Sequence, residues 1–201
     1  MVPRVLVLRH GESVANVEGV IVSAPGARAL VEVGLTDRGR EQVREAAAAA
    51  REQGLGADTI VVTSDFARAR QTAEEFATGL GAAAPQVDPR LRERVFGEHE
   101  EGPATAYEQV WARDRDRADH PDGVEPVREV AARVLAALEA ADALAEQAPV
   151  VLVAHGDVLQ IALALTAGRD PHDHREVPHL GNAELRELGP GRAVVAEASC
   201  S

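Results

Sequence analysis

Three short apolar runs punctuate the chain, in "RVLVLRH", "TIVVTS" and "VVLVAH", and they end near His10, Ser64 and His155. Each is rich in β-branched residues or leucine, and each precedes a segment with helical spacing. That is the pattern of parallel strands covered on both faces. After the second run, Phe66, Ala69, Ala73, Phe76, Ala77 and Leu80 recur three and four apart, with Asp65 near the start and Gly79 and Gly81 near the end. The spacing predicts a helix with one buried face. "LTDRGREQVREAAAAAREQGLG" predicts another, opened by Thr36 or Asp37, stopped at Gly54, with Val43, Ala46, Ala47 and Ala50 on its inner side. Over 126–148, Val127, Val130, Ala131, Val134, Leu138, Ala141 and Leu144 trace a long amphipathic helix leading into the third strand. "ELRELGPGRAVVAEA" reads as two strands about a Gly-Pro-Gly turn at a sheet edge.

Two stretches break this alternation. Residues 20–34 read as a loop with Pro and Gly, and 88–125 mixes charges, prolines, Tyr107 and Trp111 around one short helix. Both are placed to cover a site at the strand ends. The expected architecture is a single α/β domain over 1–201: three layers, α/β/α, with a mostly parallel central sheet and a cap inserted at 88–125. With only five aromatic residues, the core has to be built from Val, Leu, Ile and Ala.

Composition narrows the chemistry. The sequence has no lysine, so all 21 cationic side chains are arginines, which excludes a P-loop lysine, a Schiff-base lysine and the kinase strand lysine. A net charge of -12 argues against a nucleic-acid or anionic-membrane partner. A small anionic substrate remains open to it if a few arginines converge in one cleft. Cys200 is the only cysteine, so no disulfide framework is expected. With no signal-peptide or membrane-span pattern, the expected location is the cytoplasm.

Two of the three predicted strands deliver a histidine followed by glycine, His10–Gly11 and His155–Gly156, to the same sheet edge, where glycine lets the backbone turn sharply and a ligand approach closely. Arg9 adjoins His10, and Arg68 and Arg70 lie in the first turns after the second strand. Helix starts there also favour anions, and planar guanidinium groups suit a phosphoryl group held by parallel hydrogen bonds. Periodicity alone leaves Arg68 and Arg70 as alternatives, with Arg70 the better fit to a solvated surface.

"LRHGES", "TSDFARARQTAEEF", "LRERVFGEHEEG" and "VLVAHGDVLQIAL" resemble, in order, the four signature blocks of the histidine phosphatase superfamily, also called the phosphoglycerate-mutase-like family. "LTDRGREQ" and "LGNAEL" add weaker matches, so the resemblance spans almost the whole chain. It implies that His10 is the nucleophile, forming a phosphohistidine, and that Arg9, Arg68 and His155 surround the phosphoryl oxygens. The family block places the arginine at Arg68. Glu93 matches the proton donor, while Glu12 and Asn16 match further binding or orienting positions around the phosphate. No metal or other cofactor is implied. The expected activity is hydrolysis of a small phosphorylated substrate, lost at low pH as His10 protonates, with His155 working as the cation.

Departures from the family bear on substrate. His99 stands where many of its phosphatases carry tryptophan, and the 20–33 stretch is longer and less glycine-rich than usual. Arg94 resembles the mutase pattern, but no matching arginine cluster accompanies it. A phosphoglycerate mutase and a non-catalytic phosphate-binding module are the competing readings. His172, His174 and His179 invite a metal reading, but they sit in a loop without familiar ligand spacing, which fits a polar turn better. Tyr107 and Trp111, four apart on the short helix, read as core packing ahead of substrate stacking.

Overall fold

The computed structural model describes residues 4–189. The later half of the predicted C-terminal hairpin and Cys200 lie outside them. The three apolar runs form β1 (Val5–Arg9), β2 (Ile60–Thr63) and β4 (Val150–Ala154). Two short strands complete the sheet, β3 (Gln86–Val87) and β5 (Leu185–Glu187), in the order β3-β2-β4-β1-β5. All neighbours are parallel except β5, which runs antiparallel to β1 at the edge. The sequence does not announce β3: both its residues are exposed, so it carries no hydrophobic signal.

Strand alternation sends side chains to two cores. Leu6, Leu8, Val61, Val151 and Val153 pack on one side against α2 (Asp37–Glu52) and α3 (Ala67–Leu80). Val5, Val7, Val62, Leu152 and Ala154 pack on the other against α5 (Val127–Ala145) and α6 (Gly156–Thr166). This makes the three-layer α/β/α arrangement, with near-continuous apolar strands because both faces are covered.

Helix ends follow their sequence signals with two differences. Thr36 caps α2 by accepting from Gly39 N at 3.0 Å, as expected. At α3 the cap position falls to Phe66, because the Asp65 carboxylate is held instead by Arg92 at 2.5 Å. Gly79 is not part of the stop: a Cβ there would come within 2.6 Å of the Ala47 Cβ, so it permits close packing of α3 on α2.

The 20–34 stretch is more ordered than a loop. It holds a single five-residue π turn, Arg28–Glu32, whose Ala29 is buried with Val22, Val33 and Phe66. Before it comes a short helix not evident from periodicity, α1 (Val14–Glu18), closed by a reciprocal capping box between Ser13 and Asn16. Residues 88–125 carry three-residue 3-10 turns and α4 (Tyr107–Arg115), and their Phe96, Ala106, Val110 and Val124 pack with Ile21 in a separate small cluster.

Candidate active site

The sheet register brings the two histidines together. Arg9 pairs with Ala154 across β1 and β4, so the residues that follow, His10 and His155, emerge side by side with ring centroids 5.3 Å apart. Ser64 leaves β2 on the other flank of β4, and its Oγ lies 2.9 Å from His155 Nε2. Gly11 serves a different purpose from opening a path to a ligand. A Cβ at Gly11 would lie 2.5 Å from the Gly39 carbonyl oxygen, so this glycine lets the turn pass the start of α2. Gly156 does face the pocket, where its position lies 3.9 Å from Glu93 Oε2 and 4.0 Å from Arg9 Nε.

His10 has one tautomer imposed on it. Its Nδ1 lies 2.8 Å from the Gly11 carbonyl oxygen, which can only accept, so Nδ1 carries the hydrogen and Nε2 keeps its lone pair. Nε2 receives the Arg68 Nε–H at 3.3 Å. Burial, then the charges of Arg68 and Arg9, hold His10 well below the ordinary imidazole value. It is therefore a neutral, buried imidazole with its lone pair on Nε2.

The guanidinium groups are fixed from behind. Arg68 is 4% exposed and donates from Nη2 to the Val22 carbonyl at 2.9 Å. Arg9 donates from Nη1 to Leu180 O and to His179 Nε2, each at 2.8 Å. Three buried nitrogens, Arg9 Nε, Arg68 Nη1 and His155 Nδ1, have no hydrogen-bond partner among the described residues. Buried polar groups normally find one, and the two guanidinium groups that line the cavity beside the His10 imidazole suit the oxygens of a tetrahedral oxyanion. Contrary to the expectation of a cation, burial first, then Arg68 and His10, push His155 well below its usual value, and its fully buried side chain lies behind His10 and is not part of the cavity lining. A bound phosphoryl anion would draw it back up.

The cavity is about 240 Å³, and Arg9, His10 and Arg68 form its floor. Its outer wall includes Glu93, Tyr107 and Trp111 from the 88–125 segment, together with Asp157 and Arg175. Glu93 is 8% exposed and accepts from Arg94 N at 2.9 Å. Burial, then the neighbouring Asp157, raises its carboxyl to about 7, so it is poised to carry a proton near neutrality. Tyr107 and Trp111 stack at 5.4 Å and 8°. They are pocket wall as well as packing, and the Arg175 guanidinium lies 3.6 Å from the Trp111 ring centre. No carboxylate lies within 4 Å of Arg175 among the described residues; its Nη1 donates to Gln160 Oε1.

Of the other residues singled out by sequence, Asn16 and His179 line the cavity and the rest fall elsewhere. Asn16 lines the cavity, but its Oδ1 is occupied by Ser13 N at 3.0 Å and Asn182 Nδ2 at 3.2 Å. Glu12 is not part of the lining; its carboxylate accepts from Thr36 Oγ1 at 2.8 Å at the start of α2. Arg70 is exposed and reaches Leu30 O at 3.4 Å. Arg94 is fully buried, pairing with both oxygens of Asp114 at 2.6 and 2.9 Å, and so cannot reach a substrate carboxylate. His99 bonds Asp122 at 2.7 Å, away from the cavity. His172, His174 and His179 turn to Asp170, Pro171 O and Arg9 respectively, and no group of three metal-ligating side chains forms among the described residues. Asp157 and Arg175 went unnoticed in the sequence because both read as ordinary charged positions, one in a helix start and one in a turn.

Comparison with known proteins agrees with this geometry. A family model described as "Histidine phosphatase superfamily (branch 1)" matches residues 5–195. A protein of Yersinia enterocolitica named "Probable phosphoglycerate mutase GpmB" is 32% identical over 192 residues, covering 92% of this chain and 84% of that one. The solved mycobacterial glucosyl-3-phosphoglycerate phosphatase in complex with VO3 superposes with a TM-score of 0.74 at 27% identity, covering 93% of this chain and 92% of that one. The alpha-ribazole phosphatase from Shigella flexneri shares the fold, with a TM-score of 0.70 at 22% identity over 97% of this chain and 100% of that one. Among the described residues no helix is long and apolar enough to cross a membrane.

Proposed function

The chain belongs to the histidine phosphatase superfamily (branch 1), and on that footing we propose that it hydrolyses small phosphomonoesters without a metal, through a phosphoryl group carried on His10. The observation that carries this reading is that Arg9 and Arg68, each with a buried unpartnered nitrogen, line one cavity with His10, whose Nε2 keeps its lone pair and meets, among the described residues, only the Arg68 Nε–H at 3.3 Å. In the first step His10 Nε2 attacks phosphorus, an N–P bond forms, the P–O ester bond breaks, and Glu93 gives its proton to the departing oxygen. In the second step Glu93 takes a proton from water, whose oxygen attacks phosphorus and breaks the N–P bond, releasing phosphate and restoring His10. Arg9, Arg68 and His155 serve both steps by stabilising charge on the phosphoryl oxygens. The 88–125 segment acts as a cap, bringing the acid to the strand ends. The cavity volume of about 240 Å³ suits a small phosphorylated metabolite.

A phosphoglycerate mutase is the second reading, favoured by the name of the Yersinia relative. It would use the same nucleophile and keep the phosphoryl group for a second hydroxyl. Against it, Arg94 is sequestered by Asp114 and is unavailable to a phosphoglycerate carboxylate. The discriminating experiment measures phosphate release from p-nitrophenyl phosphate, an alkyl phosphate and 3-phosphoglycerate, by wild type and His10→Ala in excess chelator. Mutase turnover is assayed in parallel with 2,3-bisphosphoglycerate added. Free phosphate from wild type alone is expected, with at least about a thousandfold loss in the variant. Interconversion of phosphoglycerates without free phosphate would replace this reading with the mutase, and binding without either reaction would replace it with a phosphate-binding module.

A further inference from the structure

Asp157 is a second carboxylate in the wall of the pocket, and no step of the proposed reaction uses it. It lies in the first turn of α6, two residues after His155, and the Glu93 carboxylate sits over the intervening Gly156. Acidic residues are common in helix first turns, where they complement the backbone dipole, and an exposed one would need no other explanation. Asp157 is 3% exposed. The Trp111 indole N–H from α4 donates to its two oxygens at 3.0 and 3.1 Å. Arg94 Nη1 lies 3.5 Å and His174 Nε2 3.9 Å from its Oδ2. Arg94 is shared with Asp114, which accepts its two shorter bonds.

We propose, resting on the reading of Glu93 as proton donor, that Asp157 is a positioning residue for proton delivery: its carboxylate, fixed by Trp111 and Arg94, keeps the proton on Glu93 until the leaving oxygen arrives. Two carboxylates near one another in a water-poor pocket cannot both ionise freely, so the one with fewer donors retains its proton. Glu93 has one backbone donor, Arg94 N, whereas Asp157 has the Trp111 indole with Arg94 close by. The other groups facing Glu93 are Arg9 from β1, Arg68 from α3 and Tyr107 from α4. The two arginines favour its ionised form, and burial and Asp157 oppose them. Arg175, on the far side of Trp111, and His174 complete the charged groups around Asp157.

The test compares pH profiles of kcat/KM for an alkyl phosphate and for p-nitrophenyl phosphate, whose leaving group needs little protonation. Asp157→Asn keeps an oxygen acceptor for Trp111 and removes the charge. Its basic limb on the alkyl ester is expected to move down by roughly half to one pH unit, which is about a three- to tenfold loss on the alkaline side. The aryl ester changes less, and Asp157→Glu, which keeps the charge, restores the limb. Asp157→Ser serves the same purpose if the asparagine protein does not fold. If Glu93→Gln abolishes the limb but removing the Asp157 charge leaves it in place, Asp157 only packs the wall and the proposal fails. If Glu93→Gln itself leaves the limb intact, the reading of Glu93 as donor fails and takes this proposal with it.

Discussion

At the floor of the pocket, Arg9 and His10 come from the end of β1, backed by the His155 ring at the end of the neighbouring β4, and Arg68 comes from the first turn of the helix after a third strand. At the outer wall, Glu93 comes from irregular chain, Trp111 from the short helix α4 and Arg175 from a 3-10 turn, three segments outside the sheet joined by polar side chains. Arg94 clasps Asp114 and nears Asp157, while Arg133 of α5 donates to the carbonyls of Arg90, Arg92 and Glu93. The floor is therefore set by ladder register, which cannot slip without turning every strand side chain to the wrong core. The wall depends on individual contacts that can be removed one at a time. In the proposed reaction, phosphate chemistry falls to the first region and proton delivery to the leaving group to the second.

Changes at the floor should act on every substrate alike. Arg68→Gln removes the Nη1 donor that faces the cavity and is expected to lower kcat/KM by about 10²–10³-fold for alkyl and aryl phosphates together. Initial rates on the two ester classes check it, and a loss confined to one class would dissolve the distinction between floor and wall. Glu93→Gln should divide the two classes: about a hundredfold loss on alkyl phosphates and much less on p-nitrophenyl phosphate. Equal losses on both would place Glu93 with the floor.

The pH profile carries the same contrast. Neutral His10 is the reactive form, and its value is held well below the usual 6.5, so activity should persist through mildly acidic pH where an ordinary histidine would already be protonated. Above about 7 Glu93 loses its proton, so kcat/KM on alkyl phosphates should fall. An activity optimum on the alkaline side would contradict the assignment of Glu93, and an acidic limb near 6.5 that of His10. The smallest effect on aryl-phosphate turnover is expected from Arg94→Met. It leaves the floor untouched but strands the buried Asp114 carboxylate and removes one support of Asp157, costing about 3–5 kcal/mol of stability. Thermal denaturation with parallel aryl-phosphate kinetics measures both quantities.

The same division decided what the sequence disclosed. The apolar runs before His10 and His155 exposed the strands, and the strands placed both histidines at one edge, because a buried parallel strand has an unmistakable composition. The motif blocks then distinguished Arg68 from Arg70, which periodicity could not. Trp111 was read as packing because four-residue spacing says nothing about which neighbour a face meets, and its partners Asp157 and Arg175 lie 46 and 64 residues further along the chain. Glu12 went the other way: it adjoins the motif in sequence, yet the turn directs its carboxylate to Thr36. Gly11 was assigned to ligand access, whereas the constraint comes from Gly39 in α2, a contact visible only once the helix is packed.

The central claim is that the phosphoryl group passes through His10. The most direct measurement mixes enzyme with a stoichiometric amount of p-nitrophenyl phosphate, quenches in alkali within the first turnover, and maps the added phosphoryl mass by peptide mass spectrometry. Phosphate on the peptide containing His10, formed as fast as p-nitrophenol and absent from His10→Ala, is the predicted result. Release of p-nitrophenol with no phosphoryl-enzyme at any time, or a phosphoryl group on another residue, would contradict the account.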